Sequence, residues 1–282
     1  MAKKRSPLIT FLILVATLGT TASIVFKTYA LKTRESYDLE VAKSGFLEEI
    51  AINSELSDSA KIAVCNLDYR CRHLQGNISP TSVASLIKVP IVVALMHKLT
   101  ADNIDLDSEV YLDEGNVTEE DWSSLEGDRN YPLRQLLAET IINSSNTAPN
   151  QLIDYLTRGY INRVLAERGY RVTRVNYKLV GNRIKPKNMG RRPNRITGDE
   201  LTEMMVQIYN REHPGSDVLI EALANQKDLL LGYAAVKDLE GVEWLGEKTG
   251  ENSKAMGTTV AMYIDGQIYI VTVTDNRGGR DP

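Results

Sequence analysis

Three short patterns in this sequence hold side chains that could do nucleophilic chemistry together. The first is Ser85-Leu86-Ile87-Lys88, the only Ser-x-x-Lys in the chain. On a helix, a spacing of three places both side chains on one face, so an amine at Lys88 can reach a hydroxyl at Ser85. A serine hydroxyl is a weak nucleophile until a base takes its proton. A lysine desolvated against apolar surroundings can have its pKa lowered enough to help. The second pattern, Ser144-Ser145-Asn146, lies in TIINSSNTAPNQLIDYL between two helical patterns. The third, Lys248-Thr249-Gly250, lies in LGEKTGEN ahead of a C-terminal hairpin pattern. Singly, each has an ordinary structural reading: Ser85 as an N-cap with a surface lysine, Asn146 as a helix cap, Lys248 as an edge-strand charge and Gly250 as a turn.

The elements that must position these groups fall into two kinds. Strand patterns cluster at the two ends of the region beyond residue 40: Ile62 to Leu67 and the run after Cys71 near the start, and TTVAMYIDGQIYIVTVTDN near the end. In the latter, Asp265-Gly266 is a strong hairpin turn signal. The middle reads as helical. SLIKVPIVVALMHKL is apolar nearly all round, which implies a buried helix with Pro90 in its first turn or two. PLRQLLAETII puts Leu133, Leu136, Leu137 and Ile141 on one face behind Pro132 at the first helical position. A further helix opens with the capping-box pattern Thr197-x-x-Glu200. The expectation is an α/β (α+β) fold: an antiparallel sheet built from both ends of the chain, with a central all-helical subdomain. The sheet lobe would span about 40–82 and 212–282, the helical lobe about 83–211, with the site in the cleft between them.

The order Ser-x-x-Lys, Ser-x-Asn, Lys-Thr-Gly, together with the segment from Asn103 to Leu156, resembles the class A β-lactamases and penicillin-binding serine enzymes. The resemblance runs from about Lys61 to Asn276, and the terminal sheet with central helices matches that family's fold. It implies that Ser85 is the acylated nucleophile and that Lys88 assists its deprotonation. Ser144 would relay a proton to the leaving nitrogen, and Asn146 would bind the substrate's side-chain amide. Lys248, Thr249 and Gly250 would bind the substrate carboxylate side, and the backbone N–H groups of Ser85 and Glu251 would form the oxyanion hole. No cofactor is implied, and the three scattered histidines give no metal-ligand spacing.

Three departures from the family pattern stand out. The middle of the second motif is Ser145, where Asp is common, and Glu251 brings a carboxylate close to where an anionic substrate should dock. That charge counts against tight β-lactam binding. The third departure is in the segment Arg168 to Gly198, which has ten Lys or Arg and no Asp or Glu in a chain of net charge −4. With Arg174 matched to the family's loop arginine, an ungapped count puts Leu179 at the position of the glutamate that activates the deacylating water. Neither Glu167 nor Asp199 is placed to substitute for it. Acylation without fast deacylation follows, since general-base catalysis contributes about 10²–10⁴-fold.

Three functions remain open on the sequence. They are a β-lactamase-like hydrolase with slow turnover on β-lactams or acyl-D-Ala-D-Ala peptides, a D,D-peptidase of peptidoglycan metabolism, and a catalytically quiet cell-envelope binding module. The N-terminus, with Lys3, Lys4 and Arg5 before an uncharged run from Pro7 to Phe26, reads as a membrane anchor within 1–30 or as a cleaved signal. Both put the domain 31–282 outside the cytoplasm, as a monomer. There Cys65 and Cys71 could form a cross-strand disulfide or stay as two thiols. The basic segment is either a solvated face or a contact for an anionic wall polymer or lipid headgroup. Nucleic acid is not expected, because the basic residues lack interleaved aromatics.

Overall fold

The computed structural model describes residues 45–118, 123–180 and 185–276, so the anchor or signal sequence lies outside the described residues. The described residues open with α1 (Gly45–Asn53), then β1 (Lys61–Asn66) and β2 (Cys71–Leu74). A 3-10 helix (Ala84–Ile87) leads directly into α2 (Lys88–Asp102). The ribbon β3 (Glu109–Leu112) and β4 (Arg129–Pro132) precedes α3 (Leu133–Ile141), α4 (Thr147–Leu156) and α5 (Arg158–Glu167). After a long loop come α6 (Gly198–Tyr209), α7 (Ser216–Ala224) and α8 (Gly232–Val236). The described residues close with β5 (Val242–Glu251), β6 (Ala255–Ile264) and β7 (Gln267–Asn276).

The five-stranded sheet has the order β2-β1-β7-β6-β5, so both ends of the chain meet at its centre in the β1–β7 pairing. Its alternation separates two cores, because successive side chains on a strand point to opposite faces. Val260, Met262 and Ile264 join Val271 and Val273 over α1 and α8, whereas Ala261 and Ile270 face the larger helical core. The hairpin at Asp265-Gly266 forms with both residues at positive φ, 48° and 87°, the twist that a tight two-residue turn requires. α2 is buried along most of its length and anchors the helical subdomain, with Pro90 as its third residue, where no intrahelical donor is lost. Together with the 3-10 turn before it, the continuous helical segment Ala84–Asp102 is the one described helix long and apolar enough to cross a membrane, and its burial marks it as a core element.

Three local outcomes differ from the sequence reading. The central subdomain is not all helix: Tyr111 pairs with Asn130 in the β3–β4 ribbon. Pro132 sits one residue before α3, in extended conformation, rather than at its first helical position. α6 lies against the sheet, where Thr202 Oγ1 donates to Thr272 Oγ1 at 2.7 Å, although its sequence position placed it with the helical lobe.

Cys65 and Cys71 face each other across β1–β2 and are joined in a disulfide, which resolves the choice left open by their spacing. Closing so short a loop removes about 2 kcal/mol of unfolded-chain freedom. Replacing both cysteines by serine is expected to lower the unfolding free energy by about that amount, read from urea denaturation of the two proteins under oxidising conditions.

Candidate active site

The site is built where the edge strand β5 meets the turn that starts α2. Ala84, immediately before Ser85, takes φ +43°, a left-handed backbone that a side chain tolerates only when the surroundings enforce it. Gly250 shows what does so. A Cβ there would lie 3.0 Å from the backbone nitrogens of both Ser85 and Leu86, so a larger residue would push the strand and the turn apart by a few tenths of an ångström. The N–H of Thr249 points away from β6 and donates to Gln226 Oε1 at 3.3 Å. Residues two apart on a strand direct their N–H groups the same way, so the Glu251 N–H also faces outward from the sheet edge. That orientation is the one an oxyanion hole shared with Ser85 would need.

Two fully buried lysines converge on Ser144. Lys88 Nζ donates to Ser144 Oγ at 3.2 Å and to the Ser144 carbonyl, and Lys248 Nζ donates to the same Oγ at 2.9 Å. Lys248 also donates to the Thr249 carbonyl at 2.8 Å. Ser144 can take this position because its backbone is left-handed, with φ +54°, turning the chain sharply between α3 and α4. Ser145 is buried, and its Oγ accepts from the N–H groups of Thr147 and Ala148 at 3.2 and 3.5 Å. From the position before the N-cap, Asn146, it therefore satisfies the first free N–H groups of α4. The structure thus brings the first and third motifs together around the second.

The loop after α5 is held against this cluster by residues that the sequence reading did not single out. Asn150 accepts from the Leu179 N–H at 2.7 Å and donates to the Leu179 carbonyl at 2.8 Å, gripping that residue from both sides. Asn146 Nδ2 reaches the Val180 carbonyl at 3.4 Å. Asn150 is one helical turn beyond Asn146 in α4, and that i, i+4 spacing was the only sequence signal. Leu179 is half-buried with its side chain against the helical core. Asp199 is engaged elsewhere, 2.6 Å from His73 Nδ1, and Glu167 is exposed, 3.9 Å from Arg163. Glu200 does not complete a capping box. Its carboxylate accepts from the N–H groups of Val172 and Thr173 and from the Thr173 hydroxyl, at 2.8, 2.7 and 2.6 Å, which ties the start of the loop to α6.

The ten positive charges of this segment do different jobs. Lys178 is buried and donates to Asn116, Asp154 and the Lys187 carbonyl, so it serves as a pin. Arg174, bonded through its backbone to Arg195, directs its guanidinium to the carbonyls of Tyr170 and Thr173. Arg171, Lys185, Arg191, Arg192 and Arg195 are exposed.

Burial lowers the Lys248 pKa to about 8, against the opposing pull of Asp228 and Glu247. The ammonium is therefore mostly charged at pH 7 but loses its proton well before an exposed lysine does. Between about pH 8 and the unfolded value of 10.5, the unfolded chain holds this proton and the folded chain does not. Stability contributed by this group must therefore rise with pH across that window. The stability of the wild type relative to Lys248→Met is expected to increase by roughly 3 kcal/mol between pH 7 and pH 10.5, measured by chemical denaturation of both proteins.

A family model described as the beta-lactamase enzyme family matches residues 48–281. No curated relative matches the chain. Among solved structures, PBP-A aligns at a TM-score of 0.69 and 23% identity, covering 82% of this chain and 87% of PBP-A. A leucine-to-glutamate variant of PBP-A, an acyl-enzyme complex with penicillin G, aligns at 0.67 and 23%, covering 79% and 83%. A β-lactamase from Sphaerobacter thermophilus DSM 20745 aligns at 0.65 and 21%, covering 78% and 83%. At these identities the structural likeness speaks for the fold, an antiparallel sheet with a helical subdomain. The family match spans most of the sequence and includes all three motifs, so the chain belongs to the beta-lactamase enzyme family of serine hydrolase-like proteins.

Proposed function

We propose that this protein is a serine acyltransferase-hydrolase acylated at Ser85 by β-lactams or by acyl-D-Ala-D-Ala peptides, with slow release of the acyl group. The observation that carries this reading is the convergence of two buried lysines on one serine hydroxyl beside the Ser85 turn. In the proposed step, Ser85 Oγ attacks the amide or lactam carbonyl as Lys88 assists removal of its proton. The carbonyl oxygen takes up negative charge in front of the Ser85 and Glu251 N–H groups. The C–N bond then breaks, and the nitrogen receives a proton through Ser144, whose hydroxyl is held by Lys88 and Lys248. Hydrolysis of the ester would consume one water, release the acid and return the proton to Ser85.

The water needs a general base for that last step. The position next to the second motif that Asn150 grips is held by Leu179, whose side chain cannot accept a proton. The same absence favours a D,D-peptidase as the second reading, because such an enzyme can pass its acyl group to water or an amine without a loop carboxylate. Release of terminal D-alanine from a muropeptide would select that reading. A quiet binding module would instead leave no covalent mark. The basic N-terminal flank and the apolar run from Pro7 to Phe26 support export, with the domain held at or released from the outer membrane face. The exposed arginines of the loop would then face anionic polymer or lipid, an attraction that weakens with salt.

The test is an intact-mass time course with benzylpenicillin. The wild type is expected to gain the mass of one penicillin at Ser85 and hold it, while Ser85→Ala stays unmodified. No adduct, or the same adduct in Ser85→Ala, would overturn the reading. Leu179→Glu is expected to shorten the adduct's lifetime by about 10²–10⁴-fold.

A further inference from the structure

The carboxylate-recognition end of the site carries negative charge of its own. Thr249, assigned by the resemblance to the substrate carboxylate, has a single hydroxyl proton, and that proton is directed to Asp228 Oδ2 at 2.6 Å. Thr249 Oγ1 itself accepts from Gln226 Nε2 at 2.8 Å. Its donor is therefore occupied, and what it would present to an incoming carboxylate is lone-pair density.

Asp228 is held firmly in this place. The segment Gln226-Lys227-Asp228 is bonded to β5 through the two Gln226–Thr249 contacts and to the end of α3 through the Lys227 N–H on the Ile142 carbonyl at 3.0 Å. It bridges the second and third motifs. Strand alternation puts the side chains of Thr249 and Glu251 on one face of β5, while Lys248 and Gly250 share the other. Asp228 and Glu251 thus flank Thr249 on one face, with Lys248 reaching Ser144 from the opposite one. Lys227 and Lys254, the nearest other cations in sequence, are exposed.

We propose that Asp228, acting with Glu251, is a specificity-determining residue that selects acyl donors whose carboxyl end is amidated over those with a free carboxylate. This rests on acylation at Ser85 as proposed above. A carboxamide offers N–H donors to the Asp228 carboxylate and to the lone pairs of Thr249, whereas a carboxylate offers only acceptors and a like charge. Two like charges about 5 Å apart in a partly exposed site, at an effective dielectric near 20, disfavour each other by at least tenfold in rate or affinity.

The test compares benzylpenicillin with its primary carboxamide, using acylation rates of the intact protein by mass spectrometry. The wild type is expected to favour the carboxamide. Asp228→Asn keeps the acceptor for Thr249 and removes the charge, and it should shift the ratio toward benzylpenicillin by tenfold or more; Glu251→Gln should shift it in the same direction. The ratio is internal to each variant, so partial loss of folded protein cancels. An unchanged ratio in both variants, or a wild type that favours benzylpenicillin, would overturn the proposal. If no compound acylates Ser85, the failure lies with the proposed acylation. The equilibrium affinities of the same two compounds for Ser85→Ala and for Ser85→Ala with Asp228→Asn then decide the charge preference on their own.

Discussion

Two ammonium groups, Lys88 and Lys248, are withdrawn from water and meet at one serine hydroxyl, and most of the structure can be read as what this requires. A buried charge without partners would be prohibitively costly, so each must find hydrogen-bond acceptors at the point where it emerges. Ser144 supplies both its hydroxyl and its carbonyl, but only from a left-handed backbone held between two helices. Lys88 arrives from the start of a helix buried along most of its length. Lys248 arrives from an edge strand whose neighbouring Gly250 leaves room for the Ser85 turn. The meeting of sheet and helical subdomain is thus a polar arrangement backed by apolar packing, with Ser85 and Ser144 still partly exposed.

The electrostatics of the surrounding walls are less usual. Carboxylates gather beside the third motif: Glu247 is buried and accepts from the N–H groups of Gly232 and Tyr233, Asp228 accepts from Thr249, and Glu251 ends the strand. Across the site, the loop has none and is closed by amides and a buried lysine instead. Asn194 accepts from the N–H groups of Asn176 and Tyr177, and Gly190 passes so close to the Asn176 carbonyl that a Cβ would stand 2.0 Å from it. This chain places negative charge beside the third motif and an uncharged side chain at the loop position that Asn150 holds.

How much of this was legible beforehand depends on the range of the signal. The three motifs, the terminal strands, the Asp265-Gly266 turn and the apolar α2 are local patterns, and the sequence shows them directly. The β3–β4 ribbon was missed because each strand is only four residues long and mostly exposed, with too little alternation to mark a period. Glu200 followed the capping pattern in spacing, yet its carboxylate found better partners in the backbone of a loop some 27 residues away. Asn150, Gln226 and Asp228 carried no motif at all, since their roles exist only once distant segments lie side by side.

Residue type and spacing by themselves determined the chemistry on offer, a serine between candidate lysines, and the alternating pattern that makes a sheet from the two ends of the chain. Tertiary structure alone decided that Lys248 and Lys88 share Ser144 and that Asp228 accepts the hydrogen bond of the Thr249 hydroxyl. The physical reason is one of reach. Periodicity and turn preference act over a few residues, whereas the desolvation of a charge and the direction of a hydroxyl proton depend on atoms that the chain brings together from 20 to 100 positions apart.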